Sequence, residues 1–121
     1  MDDRLQKALD FSNYRQTLAI QRKTLKEKIN ARLTYGCNGG LFKIDQTLIA
    51  FVQMLINEGR VENIPLIDIN ENPILIADLN AFRDEILDRY FSATYEYLEE
   101  YQKIKSSRTV EKLLDLWLNV F

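Results

Sequence analysis

The 121-residue chain contains no histidine and a single cysteine, Cys37. Without histidine neither a Ser-His-Asp nor a Cys-His catalytic arrangement can be built within it, and a His-bearing zinc site is excluded as well. One cysteine cannot close an intrachain disulfide, which suits a reducing compartment. With no base beside it, Cys37 reads as a small hydrophobe rather than a reactive thiol. Glycine and proline are also scarce, at four and two, so most of the chain is free to form long regular elements. Long apolar runs are missing too. The most hydrophobic stretch, 48–56, falls far short of the roughly 20 residues that span a bilayer. The first residues, MDDRLQKALDF, place acids where a secretory signal has its basic region. These features predict a soluble, intracellular, single-domain protein that spans no membrane.

Net charge is small, at −2, whereas generic nucleic-acid binders are strongly basic. The distribution is uneven. Residues 1–33 carry eight Lys/Arg and four Asp/Glu, and residues 45–101 carry three and twelve. Either these segments neutralise each other in the fold or their charges face partners.

Apolar spacing predicts the elements. Residues 2–33 contain no glycine or proline, and Phe11, Tyr14, Leu18, Leu25, Ile29 and Leu33 recur at helical steps. A helix of this length reaches about 45 Å, longer than a small domain is wide, so part of its stripe is expected to meet something beyond the central core. Asn38-Gly39-Gly40 between two short apolar runs predicts a β-hairpin over 34–44; it lacks the Walker and dinucleotide patterns, so its glycines read as turn residues rather than a phosphate cradle. From Leu48 to Ile56 only Gln53 is polar, which predicts a buried central helix over 46–58, started by Asp45 and stopped by Gly59. IPLIDINENPILI predicts a second hairpin over 64–76, with Asp68 and Glu71 in its turn rather than in a calcium loop, since the glycine and terminal glutamate of an EF-hand are missing.

A long helix over 79–105 follows, with the inner stripe Leu79, Phe82, Ile86, Tyr90, Ala93, Tyr97, Tyr101 and Ile104. Leu87, Phe91, Tyr95 and Leu98 give it a second apolar face, more than one neighbour needs. Paired antiparallel, the basic end of the first helix would lie beside the acidic start of this one, which accounts for the charge imbalance without a ligand. A short helix over 109–120 ends the chain. Its residues Val110, Leu113, Leu114, Trp117 and Phe121 form an apolar cluster that either covers the core or binds a partner with Trp117 as anchor. The predicted class is α+β, mainly helical: two long antiparallel helices, a buried central helix, two short hairpins and a short C-terminal helix.

Carboxylates are the only plentiful catalytic material, and Asp84, Asp88, Glu96, Glu99 and Glu100 read as a solvated helix face rather than a magnesium site. The tyrosines Tyr90, Tyr95, Tyr97 and Tyr101 lie among glutamates that would repel phosphate, so they suit core and interface positions better than base stacking. No enzymatic activity, metal or cofactor is expected. The candidate interface residues are Val110, Leu113, Leu114, Trp117, Phe121, Tyr95 and Leu98.

The succession NYRQTLAIQRKTLKEKI, YGCNGGLFKIDQTLIAFV, LIDINENPILIADLNAF and ATYEYLEEYQKIKSSRTVEKLL resembles small head-morphogenesis proteins of T4-like tailed phages, of the prohead-core type. The resemblance covers most of the chain and carries over no functional residue. It implies a non-enzymatic role in head assembly, in the cytoplasm of the infected cell or in the virion, bound to itself or to other scaffold or shell subunits. A different reading is a small regulator that binds host machinery or nucleic acid through the basic first helix.

Overall fold

The computed structural model describes residues 2–106. In chain order these form helix α1 (Asp3–Arg32), strands β1 (Thr34–Cys37) and β2 (Gly40–Lys43), helix α2 (Gln46–Asn57), strands β3 (Glu62–Ile67) and β4 (Pro73–Asp78), and helix α3 (Leu79–Ser106). This is the expected α+β class, mainly helical, with three helices and two separate two-stranded antiparallel sheets among the described residues. The expected helix over 109–120 lies outside the described residues. The described residues divide into two compact units, 30–94 and 2–29 with 95–106.

Local signals set the boundaries within residues 30–94. Asn38 and Gly39 both take positive φ, 52° and 83°, as a two-residue hairpin turn between right-twisted strands requires, and Cys37 pairs with Gly40. Asp45 accepts the Leu48 N–H at 2.8 Å and caps α2. At the other end Gly59 turns left-handed at φ 82°, and the N–H groups of Gly59 and Arg60 donate to the Ile56 and Leu55 carbonyls. That pair of bonds satisfies carbonyls the helix would otherwise leave open.

Phe42, Ile44, Val52, Leu66, Ile76, Leu79, Phe82 and Ile86 form the core of this unit. The rings of Phe42 and Phe82 meet edge to face, 5.3 Å between centroids, a geometry favoured by the ring quadrupoles. Every position of the α3 stripe read from the sequence is buried or half-buried. Helix α2 is different from expectation. Val52 is buried and Leu48, Ile49, Leu55 and Ile56 pack against the core, but Phe51 and Met54 each leave 47% of their surface to solvent. The hydrophobicity that predicted enclosure on all sides is covered on one side only.

In the other unit, α1 and α3 run antiparallel. Lys28 Nζ lies 3.1 Å from Glu96 Oε1, and the Arg22 guanidinium stands over the Tyr101 ring, so residue numbers rise on one helix as they fall on the other. Gln21, Leu25, Ile29 and Ile104 are buried here. The charge imbalance between the two segments is thus met in part by contacts between these helices.

Candidate interaction surfaces

The β3–β4 hairpin is apolar on both faces. Strand side chains alternate, and the residues turned to the core are Ile64, Leu66, Ile74 and Ile76. The opposite face carries Pro65, Ile67, Pro73, Leu75 and Ala77, all exposed, with Ile67 at 64% and Leu75 at 58%. The ladder sets Pro65 opposite Leu75 and Ile67 opposite Pro73, so these side chains form one uncharged block.

The prolines also define the hairpin's edges. Antiparallel pairs alternate between hydrogen-bonded and non-hydrogen-bonded, and the Pro65 and Pro73 pairs share one parity. Proline has no N–H to donate, so both pairs are the non-bonded kind and the missing N–H groups fall on the outer edges. Such edges resist addition of a foreign strand. What the hairpin offers a partner is its face.

Asp68 holds this face in place. Its Oδ1 accepts the N–H groups of Asn70 and Asn72 at 3.0 and 2.9 Å, closing the β3–β4 turn, while Oδ2 accepts the Leu41 N–H at 3.0 Å. The Ile69 N–H donates to the Leu41 carbonyl at 2.9 Å, and Asn38 Nδ2 donates to the Leu75 carbonyl. These bonds clamp the two hairpins together and bring exposed Leu41 and Ile69 beside the apolar block. Three backbone donors, that of Asn72 foremost, hold the Asp68 carboxyl below its ordinary pKa. Gly40 sits where the hairpins meet, and a Cβ there would lie 2.5 Å from Ile74 Cγ1.

The helices carry further apolar surface. In the helical unit, Leu5, Leu9, Phe11 and Ile20 of α1 are exposed. Of the residues singled out from the sequence, Tyr95 and Leu98 lie on the solvent side of α3, Tyr95 at 69%. Val110, Leu113, Leu114, Trp117 and Phe121 lie outside the described residues. Sequence reading located the β3–β4 hairpin but missed its outer face. The signal was there: a run apolar at both odd and even positions needs two covers.

One cleft of about 260 Å³ is lined by Ala31, Arg32, Thr34, Asp88, Arg89 and Ser92. Its cations are engaged within the protein. Arg32 donates to Ser92 Oγ at 2.9 Å, and Arg89 donates to Glu85 at 2.6 Å while its guanidinium covers the Tyr35 ring. Burial, with the Cys37 thiol beside it, raises the Tyr35 hydroxyl above its ordinary pKa. Among the described residues no group of three or more Cys, Asp or Glu side chains is placed to hold a metal ion, and no helix is long and apolar enough to cross a membrane. Comparisons of the chain with protein-family models, with curated proteins and with solved structures find no match.

Proposed function

We propose that this chain is a non-enzymatic assembly protein of a phage particle or its scaffold, acting through protein–protein contacts. The observation that carries this reading is the uncharged outer face of the β3–β4 hairpin, held rigidly by Asp68 and left to water. A contiguous apolar patch on a protein surface is often where another molecule binds, and those larger than about a few hundred Å² are rare on monomers. Exposed Leu5, Leu9 and Phe11 on α1 and Tyr95 and Leu98 on α3 support it, as does the apolar sequence of residues 110–121, Trp117 among them. The resemblance to phage head-morphogenesis proteins supplies the setting, in the infected cell's cytoplasm or the virion, with itself or other scaffold subunits as partners.

The experiment compares the purified full chain with Trp117→Ala and with a chain lacking residues 110–121, by light scattering for self-association, by melting temperature and by retention on immobilised DNA. A variant that self-associates less at unchanged melting temperature supports an interface in the tail; a large drop in melting temperature shows the tail is core. Retention on DNA that weakens steeply with salt would replace this reading with the nucleic-acid one, since phosphate contacts depend on counterion release.

A further inference from the structure

We infer that the outer face of the β3–β4 hairpin is where two copies of this chain meet, hairpin face on hairpin face about a two-fold axis. The inference rests on the assembly reading and names its partner. Pro65 and Pro73 remove edge donors from both strands, so joining the two hairpins edge to edge into one sheet is disfavoured and packing face to face is left. The strand face carries no charge: Pro65, Ile67, Pro73, Leu75 and Ala77 lie on it with the polar Asn63, and the nearest exposed charges, Lys43 on the same side of β2 as Leu41 and Glu71 in the turn, stand at its margin. A two-fold contact sets a surface against itself, and any charge near the axis would meet its own like. An uncharged face escapes that penalty, whereas the exposed apolar residues of α1 are interleaved with Arg4, Lys7, Asp10 and Lys23.

Size agrees with a modest dimer. Ile67, Leu75, Ile69 and Leu41 each leave between 42% and 64% of their surface exposed. With the two prolines and Ala77, two copies face to face would remove on the order of 1,000 Å², at the lower bound for specific association. Clamping by Asp68 means little ordering is lost on contact, which favours binding.

A dilution series followed by two-dimensional amide NMR on the full chain tests this without any substitution. The expected result is that the amides of Leu41, Ile67, Ile69, Leu75 and Ala77 shift together along one monomer–dimer isotherm, while those of Leu5, Leu9 and Phe11 stay fixed. Ile67→Thr with Leu75→Thr places a β-branched, strand-compatible side chain at both positions and is expected to raise the dissociation constant at least tenfold. Shifts confined to α1 and α3 would overturn the hairpin contact and leave the assembly reading standing. Spectra that do not change with concentration, or a double variant that associates as tightly as the natural chain, would also overturn it.

Discussion

Asp68 joins elements that are far apart in sequence. Its folded state favours the ionised carboxylate, because three backbone N–H groups donate to it. A carboxylate depressed on folding contributes stability above its unfolded value, near 4, and that contribution fades as pH falls through the lower folded value. Asp68→Asn is therefore expected to lower the melting temperature at pH 7, with the two melting curves converging as pH is taken below about 4; a thermal melt series from pH 7 to pH 2 checks this. Gly40→Ala drives a methyl into Ile74 and is expected to cost about 1 to 3 kcal/mol, as overpacking does, read from urea unfolding. The sequence showed Asp68 as a turn acid, because bonds to Asn70 and Asn72 are local. Its bond to Leu41, 27 residues away, left no trace in spacing or composition.

At the scale of elements, what was legible was what local chemistry decides. The α3 stripe, the Asn38-Gly39 turn and the Asp45 and Gly59 ends of α2 all depend on residues within one or two turns of each other, and the structure has each of them. The burial of α2 was not legible, since apolar composition measures how much cover a helix wants and not how much its neighbours supply. The two sides of α2 are expected to respond differently to substitution. Met54→Gln on the exposed side is expected to change stability by less than about 0.5 kcal/mol, while Val52→Ala on the packed side costs about 2 to 3 kcal/mol. Phe82→Ala, which removes a ring packed against Phe42 and Tyr35, is expected to cost about 3 to 5 kcal/mol. Denaturant midpoints at constant slope measure all three.

For the whole molecule the sequence predicted more apolar surface than a chain of this size covers by itself. Within the described residues that surplus is found on the hairpin face, on α1 and α3, and on the exposed side of α2. The uneven charge suggested antiparallel pairing of the long helices. Asp84 and Glu85 at the acidic start of α3 pair with Arg83 and Arg89 of the same helix, whereas Lys28–Glu96 is an ion pair between the two helices. Such a half-exposed pair sets which faces meet more than how stably they do, so Glu96→Gln is expected to cost under about 1 kcal/mol and to leave self-association through the hairpin unchanged. The same surplus carries the functional account. Light scattering across a concentration range measures it most directly: the account predicts a molar mass that climbs above the 14.3 kDa of one chain as concentration rises, and a mass fixed at 14.3 kDa throughout would contradict it.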